Sequence, residues 1–246
     1  MRSIDSPYGR IEIGDTPEIL AAAAALIRQT AEAGNASRPT SVALSGGSTP
    51  KALYQWIVEN RALPRSATVH LVWTVSDERT VPPSSPESNL GNLDRQLLVP
   101  LEIAANAKLS WPVDLPPDQA AAMYASLWQE RVADDRLYDL CFLGMGDDGH
   151  TLSIFPDSPL LKRPVSGDVA AVEVPEKGWR LTATPSGLKR CGQIVALVAG
   201  AGKVARIRSV FQGPHDPITQ PIQLLKDHAN RVVWLMDEAA AAGLTD

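Results

Sequence analysis

Hydrophobic residues along this chain occur in short runs, and the spacing within the runs alternates between two types. One type is an apolar run of about four to eight residues bounded by turn residues, which predicts a buried strand. These runs lie at residues 41–44, 68–75, 137–143, 169–174, 180–183, 194–199 and 231–236. The other type has apolar residues at helical spacing and predicts a helix. These segments lie at residues 17–33, 50–60, 90–98, 118–132 and 202–211.

The alternation of the two types predicts the fold class. Strands that alternate with helices indicate an α/β fold, with a doubly wound, mainly parallel sheet and helices on both faces. Thr16 is the predicted cap of the first helix, and Gly34 is its predicted stop. At 246 residues, a single domain over residues 1–246 is the simplest organisation. Ligands of such sheets bind beyond the carboxyl ends of the strands, so the loops at those ends are candidates for chemistry.

Composition and charge narrow the class of ligand. With 44% hydrophobic and 21% charged residues, the chain has ordinary globular usage and can bury a large core. A formal net charge of -5 argues against a general affinity for nucleic acid or for an anionic membrane, because both need clustered Lys and Arg. We therefore expect an anionic ligand to be bound by a local pocket.

Cysteine usage and the apolar runs indicate the compartment. The two cysteines, Cys141 and Cys191, lie in apolar stretches, which is typical of buried free thiols in a reducing compartment. The longest apolar run, residues 19–27, is far shorter than the roughly 20 residues that a membrane helix needs. The first residues show no secretory signal pattern, so we expect a cytoplasmic protein without a membrane partner.

The first unusual loop follows the strand at residues 41–44 and opens the next helix. Its glycines allow a ligand to approach the backbone, its hydroxyls can hydrogen-bond, and the helix N-terminus presents unpaired N–H groups to an anion. A plain capped turn, with Pro50 placed for structural reasons, is the alternative. The phosphate-binding interpretation involves Ser45, Gly46, Gly47, Ser48 and Thr49.

Two cationic side chains also follow predicted strands and are candidates for binding the same anion. Arg79 ends the segment Asp77-Glu78-Arg79, where its planar guanidinium can bind phosphate and Asp77 can orient it. Lys203 begins a helix after a glycine-rich strand end, where it can supply a point charge. A solvated loop and a solvent-facing lysine are the commoner outcomes for such residues.

Another glycine-rich loop, residues 144–150, has the G-x-G-x-x-G spacing of dinucleotide-binding loops. Asp168 follows it at about the sequence separation at which such proteins have the acidic residue that contacts the ribose. Three features oppose a nicotinamide enzyme. The loop would place two adjacent aspartates beside a pyrophosphate, it falls in mid-chain instead of the first βα unit, and Pro156 shortens the helix that should follow.

The same loop brings Asp148 and His150 together at the end of a strand. Imidazole titrates near neutrality, so it can accept a proton from water and return it to a leaving group. The glycines and the strand end favour a general base over a histidine that only hydrogen-bonds within its loop. The remaining histidines lack metal-ligand spacing, so we expect no required metal. They are His70, His215 and His228.

In order along the chain, these segments are similar to the 6-phosphogluconolactonase family, within a group that also includes glucosamine-6-phosphate deaminase. The resemblance covers most of the chain, and the ordered set is more specific than any single segment. After the histidine the sequence continues Thr-Leu-Ser-Ile-Phe-Pro, unlike the deaminases, which favours the lactonase branch. The matching segments are residues 45–50, 76–79, 88–89, 144–156, 180–182 and 200–203.

The resemblance implies hydrolysis of 6-phospho-D-glucono-1,5-lactone to 6-phospho-D-gluconate in the oxidative pentose phosphate pathway, without a cofactor. In this hypothesis His150 activates water, Asp148 or Asp77 orients the reacting groups, and the glycine loop, Arg79 and Lys203 hold the 6-phosphate. The expected partner is the small sugar-phosphate lactone, bound by a monomer or small homo-oligomer. An amino-sugar-phosphate deaminase or isomerase and a non-catalytic sugar-phosphate sensor are the alternatives.

Overall fold

Parallel strands with helices packed around them form the centre of the molecule. The computed structural model describes residues 1–132, 136–163 and 165–244, apart from the side chains of residues 66 and 67. The strands in these residues are β1 (Arg2–Ser6), β2 (Gly9–Gly14), β3 (Thr40–Leu44), β4 (Leu71–Val75), β5 (Asp77–Arg79), β6 (Leu140–Leu143), β7 (Val169–Val174), β8 (Gly178–Ala183), β9 (Gln193–Val198) and β10 (Val232–Asp237). The α-helices are α1 (Thr16–Glu32), α2 (Ser48–Glu59), α3 (Asn89–Leu93), α4 (Pro117–Arg131), α5 (Pro159–Lys162), α6 (Pro185–Lys189), α7 (Val204–Gln212) and α8 (Glu238–Ala241).

The main sheet has seven strands in the order β1-β2-β10-β9-β6-β3-β4. Every pairing in it is parallel except that of β1 with β2. All residues of β3, β4, β6 and β10 are buried, as expected when helices cover both faces of a parallel sheet. The prediction of a mainly parallel α/β fold is confirmed.

A second sheet has three strands in the order β5-β8-β7, and both of its pairings are antiparallel. The runs at 169–174 and 180–183 are strands, as predicted, but they do not belong to the parallel alternation to which they were assigned. Only three residues separate β7 from β8, too few for a parallel crossover, which requires a dozen or more. The charged segment β5 was predicted as a loop, and its pairing with β8 makes it a strand.

The first helix begins one residue earlier than predicted. Asp15, not Thr16, is the N-cap: its carboxylate accepts a hydrogen bond from the Glu18 N–H at 2.8 Å. Glu18 in turn accepts from the Asp15 N–H at 2.9 Å, which completes a capping box. The preceding hairpin of β1 and β2 was not predicted, because the outer strand β1 is exposed along most of its length and has no apolar period.

The buried apolar residues of the strands and helices form one continuous core, which includes Trp73, Trp234 and Phe142. Cys141 and Cys191 are both buried and free, as predicted. Since β3, β4, β6 and β9 run parallel, the segments that follow them all emerge at one edge of the sheet. The fold therefore brings the three candidate loops and the segment before α7 to the same side of the molecule.

Candidate active site

A cleft of about 540 Å³ lies at this carboxyl edge. The glycine loop after β3 and the loop after β6 form one wall, and β5 with the β7–β8 hairpin forms the other. Most of the predicted site residues therefore meet in one place. The cleft is lined by Ser45, Gly46, Gly47, Asp77, Arg79, Glu87, Asn89, Gly144, Met145, Gly146, His150, Leu152, Ser153, Phe155, Glu176, Lys177, Arg180 and Lys203.

His150 is oriented by Asp148. Its Nδ1 lies 2.6 Å from Oδ1 of Asp148, and the same oxygen accepts from the backbone N–H of His150 at 3.0 Å. Partial burial acts to raise the pKa of Asp148, but the hydrogen bonds from the backbone and ring of His150 outweigh it and the pKa is lowered. A carboxylate at Nδ1 favours the tautomer in which Nδ1 bears the proton, leaving Nε2 able to accept one.

The loop between β6 and His150 needs its glycines. A Cβ on Gly146 would lie 2.0 Å from Nδ1 of His150 and 2.6 Å from Oδ1 of Asp148, a severe overlap with both. Gly149 has a φ of +84°, which side chains rarely adopt. The loop closes on itself through the Gly146 N–H, which donates to the His150 carbonyl at 2.8 Å. The glycines thus serve the Asp148–His150 pair, without any need for a dinucleotide.

Asp77 lies in the cleft but has partners other than His150. Its Oδ2 accepts from the Ser153 hydroxyl at 2.6 Å, and Asn89 Nδ2 donates to its backbone carbonyl at 2.8 Å. Asp77 is buried, so these contacts fix its position. Of the two carboxylates considered for orienting His150, Asp148 is the one that contacts it.

Glu78 is a buried carboxylate behind the cleft wall. It accepts from the backbone N–H groups of Arg79, Asn89 and Leu90 at 2.7 to 2.8 Å and from the Ser88 hydroxyl at 3.0 Å. Burial raises its pKa, although these hydrogen bonds act in the opposite direction. Glu78 therefore ties β5 to the start of α3, the helix that supplies Asn89.

Two arginines lie side by side on the small sheet, since Arg79 of β5 is opposite Arg180 of β8. Arg79 Nη1 donates to Oδ1 of Asn89 at 2.8 Å and to the Glu87 carbonyl. Arg180 donates to the carbonyls of Trp179 and Lys177. Burial, followed by the nearby Arg79 charge, lowers the pKa of Arg180. The charges of Asp77, Glu87 and Glu78 act in the opposite direction. Two adjacent guanidiniums can together bind a dianion.

The glycine loop contributes mainly backbone to the cleft. A Cβ on Gly46 would lie 2.0 Å from Oδ1 of Asn89, and Gly47 has a φ of +108° as the N-cap of α2. The Ser48 and Thr49 side chains do not line the cleft: Ser48 is exposed in a separate groove along α2, and Thr49 is half-buried. Their backbone N–H groups, in the first turn of α2, remain candidates for contacting an anion.

Lys203 lies in the cleft, but it already has two partners. Its Nζ donates to the Met145 carbonyl at 2.8 Å and to Oδ1 of Asp147 at 2.5 Å. The hydrogen bond and charge of Lys203 lower the pKa of Asp147. Arg206 Nε donates to the Asp147 carbonyl at 2.9 Å, so both cations also hold the loop that bears His150.

The residues that sequence reasoning did not assign to the site come mostly from the small sheet and from α3. Arg180 and Asn89 appeared only within matching segments, and no pattern in the sequence shows that Arg180 pairs with Arg79. The Phe155 ring stacks on the His150 imidazole. The sequence signal for this contact is only that Phe155 lies five residues after His150. Asp168, considered as a ribose ligand, forms an ion pair with Arg190 and does not line the cleft.

No group of three or more His, Cys, Asp or Glu side chains among the described residues is arranged to hold a metal ion. Within the same residues, no helix combines the length and the apolar character needed to cross a membrane.

A carboxylate-held histidine, a pair of arginines and a glycine loop at the edge of a parallel sheet together define an α/β enzyme of small anionic metabolites. The chain belongs to the family of glucosamine-6-phosphate isomerases and 6-phosphogluconolactonase, whose model matches residues 15–234.

Two 6-phosphogluconolactonases match this chain over most of their own length. The chain is 32% identical over 222 residues to 6-phosphogluconolactonase of Synechocystis, covering 82% of this chain and 84% of that one. Against human 6-phosphogluconolactonase it is 32% identical over 237 residues, covering 93% and 90% of the two chains. The solved 6-phosphogluconolactonase from Trypanosoma brucei superposes with a TM-score of 0.79 at 25% identity, covering 99% and 100%. A monomeric glucosamine-6-phosphate deaminase shares the fold, with a TM-score of 0.76 at 16% identity, covering 94% and 98%.

Proposed function

We propose that this protein hydrolyses 6-phospho-D-glucono-1,5-lactone to 6-phospho-D-gluconate in the oxidative pentose phosphate pathway, without a cofactor. The observation that supports this most is the His150–Asp148 pair, which faces the same cleft as Arg79 and Arg180. The names of the full-length relatives support the same reaction.

His150 is the general base in this proposal. Nε2 accepts a proton from water, the resulting hydroxide attacks the lactone carbonyl carbon, and a tetrahedral intermediate forms. The imidazolium then returns the proton to the ring oxygen as the C1–O bond breaks, which yields the open-chain acid. Asp148 is ionised at neutral pH, as a carboxylate with an ordinary or lowered pKa is, and it stabilises the imidazolium through Nδ1.

The phosphate lies against Arg79 and Arg180 in the same proposal, with the backbone of Gly46 and Gly47 beside it. A phosphate monoester bears between one and two negative charges near neutrality, which matches two guanidiniums. The Lys203 ammonium group attracts the phosphate as well, while it keeps its hydrogen bond to Asp147. Asp77 is the acceptor for a sugar hydroxyl on the cleft floor, because its carboxylate is fixed by Ser153 and does not reach His150 by hydrogen bond.

The test is a coupled assay that measures 6-phosphogluconate formed from freshly generated lactone, with the spontaneous rate subtracted. The unphosphorylated lactone and glucosamine 6-phosphate are assayed beside it. We expect turnover of the phosphorylated lactone, much weaker turnover without the phosphate, and no ammonia release from the amino sugar. Ammonia release would support a deaminase instead, and thermal stabilisation by 6-phosphogluconate without any turnover would support a sensor.

His150→Gln tests the mechanism, since glutamine keeps a polar side chain of similar reach but cannot shuttle a proton. General-base catalysis is worth roughly 100- to 10,000-fold, so kcat should fall by that factor while the fold is retained. A folded His150→Gln variant with near-normal kcat would falsify the role of His150.

The same proposal includes a single domain over residues 1–246, a cytoplasmic location and a monomer or small homo-oligomer. Size-exclusion chromatography with light scattering measures the last of these directly, and a large assembly would contradict it.

A further inference from the structure

The face of the His150 imidazole packs on the ring of Phe155. The ring centroids are 4.2 Å apart and the ring planes are inclined by 23°, a stacked arrangement. Among the described residues, the imidazole has one hydrogen-bond partner, Asp148, at Nδ1. The ring is also bonded to Cβ, so the side-chain torsions χ1 and χ2 together decide the direction of Nε2. One hydrogen bond at Nδ1 restrains these torsions only within the range of angles that a hydrogen bond accepts. A contact on the face of the ring narrows that range and so directs Nε2.

We propose that Phe155 is a positioning residue that fixes the plane of the His150 imidazole and so directs Nε2 at the water that attacks the substrate. This inference rests on the proposed function. Phe155 acts through His150 and takes no part in proton transfer.

Phe155 is suited to this role because its own position is firmly determined. Its carbonyl accepts from the Ser158 N–H at 3.0 Å, and the residue before it, Ile154, is fully buried. Two residues further on, the Asp157 N–H donates to the Ile218 carbonyl at 2.9 Å, which anchors the turn to a distant segment. These bonds hold the Phe155 backbone, and its partly buried side chain packs against the hydrophobic core, so the ring has a defined place beside the imidazole.

The backbone of Gly146 restrains the same imidazole at its Nδ1–Cε1 edge. A Cβ on Gly146 would lie 2.0 Å from Nδ1 and 2.2 Å from Cε1, so the glycine backbone is in close approach there. Asp148 at Nδ1, Gly146 at that edge and Phe155 on the face together leave little freedom to the ring. The Phe155 contact is the one of the three in which an aromatic ring stacks on the imidazole.

A different role for Phe155 is to hold Lys177, whose Nζ lies 5.7 Å from the Phe155 ring centroid in the cleft. The two roles affect different kinetic constants. Loss of a substrate-binding lysine raises KM, whereas loss of a correctly directed base lowers kcat and leaves KM nearly unchanged.

The kinetic experiment compares Phe155→Leu, which keeps an apolar side chain without a flat ring, with Phe155→Tyr, which keeps the ring. We expect kcat of the leucine variant to fall by about 10- to 100-fold with KM unchanged, and the tyrosine variant to retain most of kcat. Phe211→Leu is the matched control, since Phe211 packs on Tyr8 and Trp234 away from the cleft. Equal losses in both Phe155 variants, or a change in KM alone, would overturn the proposal.

Nuclear magnetic resonance tests the stacking without any assay of activity. The chain has four histidines, and the Cε1–H signal of His150 is assigned by its absence in His150→Gln. A proton above an aromatic face is shifted upfield, so we expect an upfield signal in the wild type and the tyrosine variant and a return downfield in the leucine variant. An unshifted His150 signal in the wild type contradicts the inference even if the leucine variant does not fold. Absence of lactonase activity in the wild type, with the shift present, would instead count against the proposed function alone.

Discussion

The two walls of the cleft are built in different ways. The wall that bears His150 consists of the glycine loop after β3 and the loop after β6, and in the second of these Asp148 lies two residues from the histidine it orients. The opposite wall joins β5 to β8, so that Arg79 meets Arg180 across about a hundred residues of sequence. The contacts that orient His150 are short-range and leave no room for a larger side chain at Gly146, whereas the second wall depends on the pairing of distant strands. We therefore expect the proposed proton transfer and the proposed phosphate binding to be separable by mutation.

Gly146→Ala tests the first wall and has the largest expected effect. The added methyl group would overlap Nδ1 of His150 and Oδ1 of Asp148, so the pair has to separate. We expect kcat to fall nearly as far as in the absence of the imidazole, by roughly 100-fold or more, as steady-state assays would measure. Gly202→Ala is the matched control, because no atom lies within 4 Å of a Cβ there. Equal kcat in the two variants would mean that His150 is not held as described.

This difference between the walls explains what the sequence could predict. The sheet class, the glycine loop and the closeness of Asp148 to His150 follow from local patterns, since each depends on a few neighbouring residues. The pairing of Arg79 with Arg180 does not follow from a local pattern, because β5 is short and charged and becomes a strand only by pairing with β8. The choice between Asp77 and Asp148 also needed the structure, since the Ser153 hydroxyl that holds Asp77 comes from 76 residues away.

Arg180→Met tests the second wall and affects binding more than chemistry. Hydrogen bonds to a charged group contribute about 1.5 to 3 kcal/mol, so KM for the phosphorylated lactone should rise by about 10- to 100-fold. We expect kcat to change much less, because Arg180 does not contact His150 by hydrogen bond. Turnover of the unphosphorylated lactone is the control and should stay unchanged. A similar loss on both lactones would show that Arg180 acts on the fold of the cleft and not on phosphate.

Glu78→Gln tests the attachment of β5 to α3 and should lower stability. Glutamine replaces one acceptor oxygen by an NH₂ group that faces backbone N–H donors, which leaves buried donors unpaired. We expect a loss of about 2 kcal/mol in the free energy of unfolding, measured by urea denaturation. The control is Glu59→Gln, an exposed residue that accepts from Gln55, for which the change should stay within about 0.5 kcal/mol. Equal stability of the two variants would mean that the hydrogen bonds of Glu78 between β5 and α3 do not stabilise the fold.

Asp148→Asn returns to the first wall and should have the smallest effect on stability, because the side chains of Asp148 and His150 are partly exposed, at 45% and 31%. Burial opposes ionisation of Asp148, but the hydrogen bonds from His150 prevail and its pKa lies below the ordinary value of about 4. A pKa that is lower in the folded chain than in the unfolded chain stabilises the fold above the unfolded value. That contribution is lost as the pH falls through the folded value. The stability difference between wild type and Asp148→Asn should therefore be present at about pH 5 and shrink below about pH 4, measured by urea denaturation across that range. A difference that grows toward low pH would mean that His150 does not hold the ionised form of Asp148, and the tautomer assigned to the base would lose its support.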